Sequence, residues 1–545
     1  MAKAADAKRV QEIARKRFGF DTLRPGQEEA ILAVLGGHDT LAVMPTGSGK
    51  SAIYQIAGTL IRGATVVVSP LIALQRDQVE AIEEHDLGGA AEVNSTLGGG
   101  AREEAFEELE DGEIEFIFLA PEQFANEETM ERLRVARPSL FVVDEAHCIS
   151  EWGHDFRPDY LRLGAVIEEL GRPRTLALTA TAAPLVREEI VERLGMRDPR
   201  VVVRGFDRPN IRLLVERFGE DGAEEKRAAL VERVAAAEKP GIVYAATRRG
   251  AEELAAELGE RGVKALAYHA GLPDRERGRV QDAFMDDAIE VIVATTAFGM
   301  GIDKPNVRFV VHLDVSESVD AYYQEIGRAG RDGLPAEAIL FYREEDLGLR
   351  RFFAGSGRLD EAQIEAVAEA VHEREGPIAA ETIAEEVGLS RAKTTTALSR
   401  LEEVGGVEVL PSGEVLSVDG EEVDEAAAEA ADAQENMRRF ARSRIEMIRG
   451  YADALGCRRE YLLNYFGEAF DPPCGKCDNC EVGLVKPDEA DRPFALESRV
   501  VHRTWGDGLV MRYEADKMVV LFETVGYRTL GIDIVRDEGL LEPAG

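Results

Sequence analysis

Short apolar runs at regular intervals constrain this chain more than any other feature. TLAVM, ATVVVSP, IEFIFLAP, LFVVDEAH and TLALTAT fall between about residues 25 and 200, with helical patterns between them. Runs that are apolar at every position suit strands covered on both faces, as in a parallel sheet flanked by helices. The pattern restarts with GIVYAAT, VKALAYH, EVIVATT, RFVVHL and AILFY and ends near residue 342. The expected fold class is α/β, with two doubly wound lobes in tandem over 1–200 and 201–357. At 545 residues the chain is too long for one core, so further domains should follow.

Residues 358–418 change character. LDEAQIEAVAEAVHE has helical periodicity. IAAETIAEEVGLSRAKTTTALSRLEEVGGVEVLPSGEVL then reads as helix, turn at Gly388, second helix and a hairpin turned at Ser412 and Gly413. That order describes a winged helix. Within SRAKTTTALSR, Arg391, Lys393 and Arg400 occur without an acidic residue. They fit a recognition helix on DNA phosphates, or a packing module with a weakly basic face. The Ala/Glu-rich stretch 419–434 is expected as an acidic linker or exposed helix, and 435–490 as a helical region leading into a cysteine cluster. Residues 491–545 alternate strands and turns, in SRVVHRTWGDGLVMRY, DKMVVLF and GYRTLGI, which predicts a small β-barrel.

Charge bears on partners. The net charge of −38 and pI of about 4.7 weigh against nucleic acid, because phosphate binding needs positive charge. The acids nevertheless crowd into stretches such as EEAFEELEDGEIE and DGEEVDEAAAEAADAQE, which read as solvated faces. No apolar run approaches a membrane span, and MAKAADAKRVQEIARKRFGF lacks the apolar core of a secretory signal. A cytoplasmic protein with no membrane partner is expected.

MPTGSGKS lies between the strand TLAVM and a helical pattern, the context that a phosphate-cradling loop requires. Met44 stands where the usual pattern has glycine. Thr46, Gly47, Ser48, Gly49, Lys50 and Ser51 form the candidate loop. Lys50 would reach the β- and γ-phosphates, and Ser51 would ligate Mg²⁺. DEAH follows the strand LFVV, so Asp144 and Glu145 emerge at a strand's carboxyl end, where ligands bind in open α/β sheets. Asp144 would hold Mg²⁺ through water, and Glu145 would orient and deprotonate the attacking water. In YYQEIGRAGRDG, Arg328 and Arg331 are three apart, so on a helix both point the same way. They suit arginine fingers that stabilise γ-phosphate charge, in a second lobe that closes on ATP.

DEAH continues into HCISEWGHDFRPDY. Trp152 and Phe156 offer faces for stacked bases, Arg157 can meet a phosphate, and His154 could relay a hydrogen bond to the hydrolysis site. The rival reading is a metal site built from His147, Cys148 and His154, which the adjacency of His147 and Cys148 disfavours. Cys457, Cys474, Cys477 and Cys480 can supply four thiolates, for a structural zinc or for an iron–sulfur cluster.

Taken together, these residues resemble superfamily 2 helicases, and within them the RecQ DNA helicases. FGFDTLRPGQEEAI is similar to the family's adenine-reading motif, in which Phe20 would contact the base and Arg24 and Gln27 would hydrogen-bond it. VVVSPLIALQRDQV, LAPEQF, ALTATA, YHAGL and ATTAFGMGIDKPNVRFVVH match further motifs in order. In this superfamily the loop is often shortened to PTGSGKS, which accounts for Met44. GCRREYLLNYFGE before the clustered cysteines resembles the RecQ zinc subdomain and favours zinc over iron–sulfur.

The resemblance implies two RecA-like lobes, ATP with Mg²⁺, a structural Zn²⁺, and 3′→5′ translocation on single-stranded DNA. It implies unwinding of duplex in recombination and repair by a nucleoid-associated protein, with the aromatic loop reporting DNA to the ATP site. One departure stands out. The common layout puts a winged helix after the zinc region, whereas here it precedes it. The tail resembles the Tudor-like module of UvrD/PcrA helicases through Val501, His502, Trp505, Gly506, Gly508, Phe522, Gly526 and Leu530. That module can contact RNA polymerase. Single-stranded-DNA-binding protein and topoisomerase are the other candidate protein partners.

Overall fold

The computed structural model describes residues 2–94, 97–150, 156–299, 302–355, 359–374, 376–410, 412–418, 423–485, 492–514, 516–522 and 524–544. The chain divides into two compact units, Met1–Gly205 with Gly357–Met437, and Phe206–Ser356 with Arg438–Gly545.

The first unit is built on seven parallel strands. They are β1 (Thr40–Val43), β2 (Thr65–Val68), β3 (Ala90–Val93), β4 (Phe116–Leu119), β5 (Leu140–Val143), β6 (Arg174–Thr179) and β7 (Arg200–Val203). Their order is β3-β4-β2-β5-β6-β1-β7. The fully apolar runs occupy the interior of the sheet, where β1, β2, β4 and β5 are buried at every position. The edge strands β3 and β7 carry Glu92 and Arg200, so they do not read as apolar runs. Strand β7 pairs with β1 from Thr40↔Arg200 to Val43↔Val203, which carries the first lobe past residue 200.

The winged helix belongs to this unit. Its helices are Glu361–His372, Ala380–Val387 and Arg391–Glu403, and β14 (Ile378–Ala379), β15 (Val407–Val409) and β16 (Glu414–Ser417) pair in the order β14-β16-β15. An Asp360–Gln363 capping box starts the first helix. Gly388, at φ +68°, ends the second in a left-handed conformation that favours glycine.

Of the stretch 419–434, expected as a linker or exposed helix, residues 423–434 are described and are helical. From Val423 it is the start of a 31-residue helix, Val423–Asp453. Ala426, Ala427 and Ala430 are buried in the winged-helix core, because small residues at helical spacing let the helix approach closely. The division between the two units falls inside this helix, after Met437.

The second unit holds six parallel strands: β8 (Ile211–Arg217), β9 (Gly241–Tyr244), β10 (Ala265–Tyr268), β11 (Val291–Ala294), β12 (Phe309–His312) and β13 (Ala336–Tyr342). Their order is β10-β11-β9-β12-β13-β8. Beyond the helix Arg458–Tyr465 and the cysteine turns comes an antiparallel sheet of β17 (Arg499–His502), β18 (Gly506–Glu514), β19 (Lys517–Phe522), β20 (Gly526–Gly531) and β21 (Leu541–Pro543). Its order is β20-β19-β18-β17-β21. His502 stacks on Trp505 at 4.1 Å, and Trp505 meets the Phe522 edge at 5.3 Å, so half-buried Trp505 contributes to this module's core. Among the described residues no helix is long and apolar enough to cross a membrane.

Candidate nucleotide and metal sites

The carboxyl ends of β1, β5 and β6 bring the first lobe's candidate residues together. Met44 is buried in the core, so the loop proper begins at Pro45. Gly47 and Gly49 have φ of +76° and +77°, left-handed conformations that favour glycine in a tight loop. The helix Ser51–Leu60 starts directly after Lys50. Lys50 Nζ donates to the Met44 carbonyl at 3.3 Å, so it lies across the loop.

Gln27 ties the N-terminal motif to this loop. Its Nε2 donates to the Ser48 and Gly49 carbonyls at 3.0 and 2.9 Å, and its Oε1 accepts from the Arg24 backbone at 2.7 Å. Arg24 donates to the Gly47 carbonyl. Both residues expected to hydrogen-bond the base are thus also tied to the candidate loop's backbone. Phe20 is 39% exposed and stacked on Phe18, which leaves a face available to a base.

Asp144 and Glu145 follow β5. Asp144 is buried, and burial together with Glu145 pushes its pKa up to about 7, with Lys50 pulling the other way. Two adjacent carboxylates thus carry more negative charge than one lysine offsets, and a divalent cation would supply the difference. Glu145 sits at φ +48°, a strained conformation for a residue with a side chain.

His147, which the sequence offers only as a metal-ligand candidate, is fully buried. Its Nδ1 lies 2.9 Å from Thr179 Oγ1 and 3.4 Å from Glu145 Oε2. Thr179 Oγ1 donates to the Thr181 carbonyl at 3.0 Å, so His147 is the donor to it. This joins DEAH to ALTATA. Tyr160 donates to the Asp144 carbonyl at 3.0 Å and fixes the same turn.

In the second unit, Arg328 and Arg331 are not on a helix. The helix Val319–Ile326 stops before Gly327, and Gly330 is left-handed at φ +56°. Both arginines sit in the turn that follows, which corrects the helical argument for their shared direction. Arg328 is 3% exposed, and Arg331 donates to Asp303 at 2.6 Å. Burial lowers the Arg331 pKa, and nearby Arg328 and Arg208 add to that against the opposing pull of Asp303.

The sulfurs of Cys457, Cys474, Cys477 and Cys480 all lie within 4.8 Å of one another. Cys474 and Cys480 are 3.8 Å apart. A tetrahedron with Zn–S of about 2.3 Å has an edge of about 3.8 Å, so the set fits a single zinc ion. A disulfide would need about 2.05 Å, and a cubane cluster would hold the sulfurs farther apart. Hydrogen bonds from Cys457 and Cys477 hold the Cys474 thiol low, and the same contact with Cys474 pushes the Cys457 thiol up. Among the described residues this is the one cluster of three or more His, Cys, Asp or Glu side chains placed to share an ion. Cys148 is fully buried beside His147, as an apolar neighbour would be.

Three family descriptions match along the chain: DEAD/DEAH box helicase over 24–189, helicase conserved C-terminal domain over 225–333, and RecQ zinc-binding over 419–481. The probable ATP-dependent DNA helicase RecS of Bacillus subtilis is 34% identical over 87% of this chain and 92% of its own length. The chain belongs to the RecQ family of ATP-dependent DNA helicases. ATP-dependent DNA helicase RecQ of Pasteurella multocida is 36% identical over 86% of this chain, and that of Haemophilus influenzae 33% over 88%. The chain spans only 62% and 65% of those two proteins' lengths.

Among solved structures, the DUF1998 helicase MrfA bound to DNA aligns with a TM-score of 0.53 at 18% identity, over 77% of this chain and 60% of that one. The DEAD-box helicase Mss116 bound to ssRNA and UDP-BeF gives 0.51 at 17%, over 72% and 88%. At such identity these alignments establish the fold.

The family's aromatic loop falls partly outside the described residues, and Trp152 and His154 lie there. Phe156 is half-buried. Arg157 donates to the Pro70 carbonyl at 3.0 Å, and its backbone to Cys148 at 2.9 Å, so it anchors the loop's return. In the winged helix, Arg400 is corrected. It is 8% exposed and paired with Glu403 at 2.9 Å, so it is a packing residue on an interior-facing turn. Arg391 is exposed but pairs with Glu381 at 2.7 Å, an acid contributed by the preceding helix.

Proposed function

We propose that this RecQ-family chain couples ATP hydrolysis to movement along single-stranded DNA and to separation of duplex, in the 3′→5′ direction that the resemblance implies. The observation that carries the proposal is the convergence of Lys50, Asp144 and Glu145 at the carboxyl edge of the first sheet, with Gln27 bonded to the Ser48 and Gly49 carbonyls of the loop that bears Lys50. Lys50 binds the β- and γ-phosphates, with Thr46 through Ser51 around them. Glu145 takes the proton of the attacking water, and His147, whose Nδ1 donates to Thr179 Oγ1, lies 3.4 Å from Glu145 Oε2. Ser51 and Asp144 would hold Mg²⁺, which when bound neutralises phosphate charge. Arg328 and Arg331 stabilise charge on the γ-phosphate in the transition state. Trp152, His154, Phe156 and Arg157 meet single-stranded DNA, with Arg391 and Lys393 on duplex phosphates. Zinc on the four cysteines is structural.

Recombination and repair in the cytoplasm, at the nucleoid, is the setting this reading implies. The tail's Val501 to Leu530 pattern supports a protein-docking role, with RNA polymerase, single-stranded-DNA-binding protein and topoisomerase as candidates.

One observation favours a second reading, a DNA translocase that unwinds weakly. The winged-helix hairpin turns at Gly413, and a Cβ there would lie 3.3 Å from the Arg162 guanidinium of the first lobe. A wing seated on its own lobe is poorly placed to part strands. Unwinding of a forked duplex with a 3′ tail, beside Lys50→Ala, decides between them. Strand separation by the intact protein, lost in the variant, supports the helicase. DNA-stimulated hydrolysis with no separation leaves the translocase. Stimulation by single-stranded RNA equal to that by DNA would refute both.

A further inference from the structure

The segment Phe206–Ile211, FDRPNI, touches two things at once. On one side it grips the turn that carries Arg328 and Arg331. Arg208 donates to the Gly327, Ala329 and Gly330 carbonyls at 2.9, 2.8 and 3.1 Å. Asn210 Nδ2 donates to the Gly330 and Leu334 carbonyls at 2.8 and 2.9 Å. Tyr323, on the helix entering the turn, donates to the Phe206 carbonyl at 2.5 Å. The fit is close: a Cβ at Gly330 would lie 2.4 Å from Asn210 Nδ2.

On the other side, the zinc subdomain grips the same segment through Phe206, Asp207, Pro209 and Ile211. Glu468 accepts from the Phe206 backbone at 2.7 Å, and Phe466 stacks on the Phe206 ring at 4.7 Å. Arg459, 5% exposed, pairs with Asp207 and donates to the Ile211 carbonyl at 2.7 Å. Lys476, between two of the cysteines, donates to the Pro209 carbonyl at 2.9 Å. The contact continues into the sheet, where Leu213 of β8 donates to the Lys476 carbonyl at 3.1 Å.

We infer that FDRPNI is a bridge through which the zinc subdomain sets the position of the arginine turn, with Arg208 and Asn210 as positioning residues for Arg328 and Arg331. The physical reason lies in the turn's chemistry. Its residues follow a helix end, where carbonyls lose their intrahelical partners. A planar guanidinium fork satisfies three of them together and fixes their mutual geometry, which a point charge cannot do. Arg208 touches no reacting atom in this scheme; it acts through the two arginines. The inference rests on the arginine-finger reading above.

The test is single-turnover ATP hydrolysis on single-stranded DNA by the full chain. Arg208→Gln should lower the rate about tenfold while KM for ATP and the Kd for single-stranded DNA stay within about twofold, since misplaced fingers affect the transition state and not ground-state binding. In an Arg331→Ala background the same change should lower the rate less than about twofold further, because residues acting as a unit are not additive. Arg459→Gln, which does not touch the turn, should reproduce the kcat loss more weakly. If Arg208→Gln yields no folded protein by circular dichroism and zinc content, Asn210→Ala carries the same expectation.

An unchanged rate in the folded variant, or equal losses in both backgrounds, would overturn the bridge. A wild-type rate in Arg331→Ala alone would instead overturn the finger reading.

Discussion

Arg458→Met should destabilise the second unit by about 3 kcal/mol, and the structure sets that size. Arg458 is 1% exposed. Its Nε and Nη2 fork onto Asp478 at 2.9 and 3.0 Å, and its Nη1 donates to the Tyr451 carbonyl and, at 3.3 Å, to that of Ala452. Asp478 lies between the ligands Cys477 and Cys480, and its Oδ2 also accepts from Val215 of β8 at 3.3 Å. Methionine keeps much of the stem's volume, so packing loss is small. What it removes is the counter-charge, and stranding one member of a buried pair costs about 3–5 kcal/mol. The Asp478 side chain is 25% exposed, so water can partly resolvate it, which places the value near the lower end.

For a domain of this size, about 2–4 °C of Tm per kcal/mol gives a fall of roughly 6–12 °C. Scanning calorimetry in excess zinc measures it. Adding Asp478→Leu should recover part of the loss, since an apolar pair strands no charge. A shift below about 2 °C, or a double variant worse than the single one, would refute the argument.

Three further outcomes follow from particular contacts. Lys50→Ala should cut ATP hydrolysis by at least about a hundredfold, read by phosphate release, with nucleotide-free DNA binding intact. Lys393→Ala should reduce the slope of log K against log salt for duplex binding by about 1, whereas Arg400→Ala should leave the slope unchanged and lower the winged helix's protease resistance. Gly508→Ala should loosen the C-terminal sheet by about 1–3 kcal/mol, because the added Cβ would sit 2.6 Å from the Phe522 ring; limited proteolysis should then release the tail while DNA-stimulated hydrolysis persists.

The interior of each lobe was legible in the sequence because strands buried on both faces have no polar positions to disguise them. The missed strands are edges. β3 carries Glu92, β7 Arg200, and β8 ends in Arg217, which donates to the Ala452 carbonyl at 3.0 Å. The four cysteines were legible for a different reason: their clustering announces a metal site, while zinc over iron–sulfur came from the resemblance of GCRREYLLNYFGE to the RecQ zinc subdomain. Charge counts misled where they stopped at a segment's end. Arg391 and Arg400 looked free of acids within SRAKTTTALSR, yet Glu381 on the preceding helix and Glu403 at the end of their own pair with them. The Ala/Glu stretch misled in the same way, since its acids face solvent while Ala426, Ala427 and Ala430 build a core.

The arginine turn marks the deeper limit. A motif announces Arg328 and Arg331 by identity, but what holds them is a set of backbone carbonyls, and carbonyls are the same at every residue. Arg208 donates to three of them and Asn210 to two, so their importance depends on where the chain folds and not on any residue they recognise. The one trace in the sequence is chemical. Asp-Arg-Pro-Asn is too polar and too rigid for a passive connection, and in FDRPNI it stands where the second lobe begins. A linker under no structural demand needs neither a fork of donors nor a fixed φ. Residues of this kind between two apolar strands are therefore worth testing as supports for a catalytic turn before they are dismissed as loop.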